Sequence, residues 1–124
     1  MSEELNIKDQ IERIDSAIEV QEWYIKRNEA LERLKQNDDF QTVIMDGYIN
    51  IEADRVYQKL TDPRLAKPED KESYLHQLET IKDIQRYLGT ETYKGTVAIL
   101  AANAKGFIDD NLALKQELLE GKSE

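Results

Sequence analysis

Apolar residues along this chain recur at steps of three and four, in four runs separated by short breaker-rich stretches. No stretch alternates apolar and polar residues with the β-branched enrichment of a strand, so the pattern predicts helices alone. The first run predicts a helix over residues 6–36, with Asn6 as N-cap and Asp9 in the first turn, where the dipole favours an acid. It carries two stripes. Ile7, Ile11, Ile14, Ile18 and Ile25 form a heptad seam, with the polar Gln21 filling one place. From Val20 onward a second row, Val20, Tyr24, Leu31 and Leu34 with Trp23 beside it, lies roughly opposite at about 100° per residue. A helix with one partner needs one stripe. The Trp23–Leu34 half is therefore expected to pack into its own domain, and the acidic Ile7–Ile25 seam to meet another helix of this or another copy.

Asn37-Asp38-Asp39 breaks the first run and offers caps for a central helix over residues 38–60. There Phe40, Val43, Ile44, Tyr48 and Ile51 share one side, and Ile49, Ala53, Val56, Tyr57 and Leu60 cover much of the other, which predicts burial on both. Gly47 costs such a helix about 1 kcal/mol relative to alanine, and a close helix crossing there is the expected reason for it. Thr61 to Lys67 reads as a loop. Pro68 then fits a first helical position, Glu69, Asp70 and Glu72 follow at the positive end of the dipole, and Gly89 closes a helix over residues 68–88. Its inward set is Tyr74, Leu78, Ile81, Ile84 and Leu88. Thr90 caps a last helix over residues 90–120, whose expected seam is Tyr93, Val97, Leu100, Ala104, Phe107, Asn111, Leu114 and Leu118. Asn111 there either fixes a coiled-coil register or sits at a solvated end.

These elements predict an all-α fold: one domain over residues 1–124, a four-helix antiparallel bundle with long first and last helices. A helix of about 30 residues is about 45 Å long, more than so small a bundle covers. Oligomerisation through coiled-coil-like contacts follows as an expectation, with Ile7, Ile11, Ile14, Ile18, Ile25, Leu114 and Leu118 as the interface.

Composition narrows the class. Hydrophobic residues make up 40% and charged residues 35% of the 124, too apolar for a disordered acidic tail. No apolar run approaches the ~20 residues that span a bilayer, and the acidic start lacks a signal peptide's pattern, so a cytosolic setting is expected. Zero cysteines remove disulfides, thiolate metal sites and cysteine nucleophiles. The net charge of −9 is uneven, since residues 1–22 hold seven acids against Lys8 and Arg13. Such a surface repels phosphates, which disfavours nucleic acid and anionic membrane as partners.

Candidate chemistry is sparse. His76 is the only histidine, and a carboxylate-bridged di-iron bundle needs two Glu-x-x-His pairs. A surface or half-buried structural histidine is the better reading. The acid pairs Asp38/Asp39, Glu52/Asp54 and Asp109/Asp110 lack EF-hand spacing and read as caps or solvated faces. There is no phosphate-binding glycine loop and no nucleophile motif. No metal, cofactor or catalytic residue is expected, and the chain reads as non-enzymatic.

The central run resembles small helical proteins of tailed bacteriophages. The resemblance rests on Ala30-Leu31-Glu32-Arg33-Leu34, Asp38-Asp39-Phe40, Val43-Ile44-Met45-Asp46-Gly47-Tyr48, Glu52-Ala53-x-Arg55-Val56, the Asp62-Pro63 break and Gln77-Leu78-x-x-Ile81 with Ile84-x-x-Tyr87-Leu88, over about residues 28–89. It implies a head or connector accessory role beside other virion proteins, in the host cytoplasm during assembly or in the virion. Two other expectations compete: a small inhibitor of a host protein acting through the acidic first helix, and a ligand-sequestering bundle around Tyr48, Tyr57 and His76.

Overall fold

In a computed structural model that describes residues 2–64 and 67–121, the protein is all-α, with four helices and no strand among the described residues. Helix α1 is Ser2–Lys35. Helix α2, residues 38–61, opens and closes as α-helix and is π-helical over Gln41–Glu52. Helix α3 is Pro68–Leu88 and helix α4 is Thr96–Gly121.

Local chemistry explains most of the ends. Helix α1 starts ahead of Asn6, which is therefore helical and no cap; no proline or glycine precedes it to stop the helix. The Asn37 Oδ1 accepts the Phe40 N–H at 3.0 Å and caps α2, with Asp38 and Asp39 in its first turn. Pro68 occupies the first turn of α3, and Gly89 ends it at φ 78°, a left-handed conformation that glycine adopts without penalty. Helix α4 begins six residues later than the expected Thr90, because Gly89 and Gly95 close a tight loop. A Cβ on Gly95 would stand 2.7 Å from both the Arg86 carbonyl oxygen and Gly89 Cα. The Thr90 hydroxyl instead accepts the Thr92 and Tyr93 N–H groups inside that loop, at 3.2 and 3.3 Å.

The π-helical stretch rearranges the central helix. With i→i+5 bonding each turn holds an extra residue. Four-residue steps then stay on one face and three-residue steps fall off it. Phe40, Ile44 and Tyr48 are partly covered, whereas Val43 and Ile51, expected beside them, are exposed, as is Tyr57. Burial is thus one-sided here. Gly47 meets no other helix either: a Cβ there would lie 2.7 Å from the Thr42 carbonyl oxygen of its own π-turn, and from nothing on another element. In α3, Ile81 is buried while Ile84 is exposed and Gln85 is half-buried, so the inward row runs 81, 85, 88.

Where the pattern predicts one domain, the chain divides into two compact units, residues 1–29 with 98–124, and residues 30–97. The division runs through α1 and α4, the two elements too long for a single small core. The first unit holds the buried Ile14, Ile18, Ala101 and Ala104. The second holds Leu31, Ile49, Val56, Ile81 and Val97.

Candidate functional site

The first unit is a pair of helical segments, one from α1 and one from α4. The Lys115 ammonium donates to the Asp15 carboxylate at 2.8 Å across it. That pair aligns the segments so that residue numbers summing to about 130 are roughly level, as in an antiparallel hairpin. Ile14 and Ile18 are buried in it, and Ile7, Ile11, Gln21 and Ile25 are half-covered. The facing row on α4 is Ala101, Ala104, Ile108, Asn111, Lys115 and Leu118, all buried or half-buried, at steps of three and four.

The isoleucine seam was expected to meet a helix of this or another copy, and its central members are buried without a second copy. They are covered by their own chain: on the Asp15–Lys115 register Ile14 and Ile18 lie level with the stretch of α4 where Asn111, Lys115 and Leu118 are half-buried. The α4 seam is also rotated from the expected one: Leu118 belongs to it, while Leu114 is 45% exposed and Phe107 lies outside. Of the seven expected interface residues, Ile7, Ile11, Ile14, Ile18, Ile25 and Leu118 thus line the intrachain seam and Leu114 does not. The Asn111 side chain donates to the Phe107 carbonyl of its own helix at 2.8 Å.

The second stripe of α1 is inverted in the same way. Trp23 was expected in a core and is 55% exposed; Val20 and Leu34 are exposed too, Tyr24 is half-buried and Leu31 alone is buried. Trp23 packs edge-on against Tyr24, and the Arg27 guanidinium lies over its ring at 4.9 Å. What the sequence reading missed is which side chains remain outside once the seam is filled. On about 100° per residue, Ala17, Val20 and Tyr24 of α1 and Phe107 and Leu114 of α4 flank the seam on one side of the antiparallel pair. The other flank is charged, with Lys8, Asp15, Glu19, Glu22 and Lys26.

No family model, curated protein or solved structure matches this chain. The phage resemblance therefore stands on the residues quoted for it.

Two open grooves lie among the described residues of the second unit. One, of about 670 Å³, lies among the end of α1, the π-helical face of α2 and the 90–92 loop, with Glu32, Lys35, Met45, Asp46 and Glu91 in its walls. The Lys35 ammonium is engaged there, donating to the Leu88 carbonyl at 2.6 Å, while the Gln41 amide donates to the Lys35 carbonyl at 2.6 Å. The other, of about 270 Å³, brings together Tyr48, Glu52, Ser73 and His76 but not Tyr57. His76 is a surface residue, 3.9 Å from the Glu79 carboxylate. Glu52 is held as a carboxylate by Arg55, whose hydrogen bond lowers its pKa and raises that of Arg55. Asp62 is lowered likewise by the Arg64 side chain and backbone N–H. Among the described residues no helix is long and apolar enough to cross a membrane.

Proposed function

We propose that this is a non-enzymatic assembly accessory protein of a tailed phage, of the head or connector type, that works by helix-mediated self-association alongside other virion proteins. One observation carries the self-association: the hairpin of the first unit has a filled seam and, beside it, an aligned row of exposed apolar side chains. Single exposed hydrophobics are ordinary on protein surfaces, but an aligned row on one flank is the mark of a docking face. The phage role rests on the resemblance over residues 28–89. Sedimentation velocity across a wide concentration range tests the first part; a chain that stays monomeric throughout refutes it. Mass spectrometry of purified virions from the phage that carries the gene tests the second.

A second reading has one observation in its favour, the convergence of Tyr48, Glu52, Ser73 and His76 on one groove. A small-molecule role for it requires stabilisation of about 2.7 kcal/mol by a ligand at 100 times its dissociation constant, readable as a thermal shift. At about 270 Å³ the groove falls below the ~300–1,000 Å³ of ordinary ligand pockets, which weighs against this reading.

A further inference from the structure

We infer that the occupant of the apolar flank of the α1–α4 hairpin is the same flank of a second copy of this chain, the two hairpins closing into a four-helix bundle. The inference rests on the self-association proposed above and names its surface.

The register places the face. With residues 15 and 115 level, Val20 of α1 lies roughly at the height between Phe107 and Leu114 of α4. Tyr24 and Ala17, both half-buried, extend the patch along α1. At about 100° per residue the five side chains fall on the same side of the pair, with Val20 the furthest from the seam. Trp23 is not its anchor. It points away from α4, and its ring is already faced by Arg27.

Packing argues for occupancy. A pair of helices shares only one seam, whereas four give each helix two neighbours and a common core.

Charge decides between a second copy and a basic partner. The apolar flank carries Arg13, Arg27, Asp110 and Glu117, two bases and two acids, with Arg13 paired to Asp9 at 2.8 Å and Arg27 over the Tyr24 ring at 5.4 Å. A near-neutral face of this kind suits a two-fold pairing, in which each patch meets itself. A basic partner would be drawn to the opposite, charged flank, where Asp15, Glu19 and Glu22 stand.

That opposite flank supplies matched controls. Leu112 and Leu119 are exposed there to about the same degree as Val20, Phe107 and Leu114. The experiment is sedimentation equilibrium on the full chain and on Val20→Glu, Phe107→Glu, Leu112→Glu and Leu119→Glu, each of which adds the same charge at an exposed site. Far-UV circular dichroism checks that each variant folds. The expected result is a wild-type dimer whose dissociation constant rises roughly 30-fold or more in the first two variants, as at an interface hot spot. It should change by less than about threefold in the last two. Loss of the dimer in the Leu112 and Leu119 variants, or an equal effect in all four or in none, overturns the assignment of the face while leaving self-association standing. A wild-type chain that never exceeds monomer mass overturns both.

Discussion

Ile14→Ala is the most direct test of the intrachain seam. Ile14 is 7% exposed and sits in the middle of the hairpin. The change removes three carbons, worth about 0.8 kcal/mol each in transfer alone, or about 2.4 kcal/mol. A cavity term adds to this, and large-to-small core changes of this kind span about 2–5 kcal/mol. A seam between two helices is open at its edges and can close partly over the gap, so the lower part of that range, about 2–3 kcal/mol, is expected. Native-state hydrogen exchange is the suitable assay because it reads the hairpin alone. Amides of residues 10–22 and 101–115 should exchange roughly 30- to 150-fold faster in the variant, which is that energy converted at 1.4 kcal/mol per tenfold. The measurement belongs at dilutions where the chain is monomeric. Val20→Ala, at an exposed site, should change the same amides by less than about threefold. Unchanged exchange in Ile14→Ala would mean that the isoleucine row is not closed by α4 of its own chain. Of the two partners expected for the seam, a helix of another copy would then be the one left.

Three further outcomes follow from local geometry. Gly95→Ala places a methyl 2.7 Å from the Arg86 carbonyl oxygen and from Gly89 Cα, both backbone, and should lower the stability of the 30–97 unit by about 2 kcal/mol or more in urea unfolding. Gly106→Ala has nothing within 4 Å and lies within α4, so it should stabilise by about 0.5–1 kcal/mol. Asn37→Ala removes the acceptor for the Phe40 N–H and should cost about 1 kcal/mol by the same assay. The pH dependence has a definite sign. Glu52 and Asp62 have lowered folded-state pKa values, so their contribution is present above the unfolded carboxylate pKa and is lost as pH falls through the folded one. Both groups are only partly covered and remain in contact with solvent, so the effect is small. Glu52→Gln should flatten the acid limb of a stability-against-pH curve slightly, and an unchanged acid limb would contradict the Arg55 pairing.

The sequence was most readable where an end is written in one residue. Pro68 and Gly89 mark α3 to the residue because fixed φ at one end and left-handed φ at the other leave no alternative. The spacing of Ile7, Ile11, Ile14 and Ile18 likewise announced a seam. What spacing cannot say is which surface fills it. Both stripes of α1 are apolar, and spacing alone does not say that the isoleucine row is the one buried within the chain. The α4 seam was misplaced because apolar spacing favours Phe107 and Leu114, whereas the covered row passes through the polar Asn111 and Lys115. The π-helical stretch left no mark in a pattern read at 3.6 residues per turn, and Val43 and Ile51 were put on the covered side in consequence. The grooves were legible only as the pairing of Tyr48 with His76, since the larger one is assembled from three segments far apart in the chain.

Charge placement turns the choice of face into a difference of sign. Each chain carries −9, so two copies repel wherever they meet, and salt screens that repulsion over a Debye length of about 8 Å at physiological ionic strength. Contact across the near-neutral flank adds apolar burial and no ion pairs to set against the screening. Dimerisation through Val20, Phe107 and Leu114 should therefore tighten as salt is raised. Association through the charged flank, where Lys8 and Lys26 alternate with Asp15, Glu19 and Glu22, would be held by cross-chain ion pairs and should loosen under the same titration. A dimer that dissociates with rising salt would place the contact on the charged flank, even if the mutational series gave an ambiguous rank order. Light scattering along a sodium chloride series at fixed protein concentration reads that sign directly.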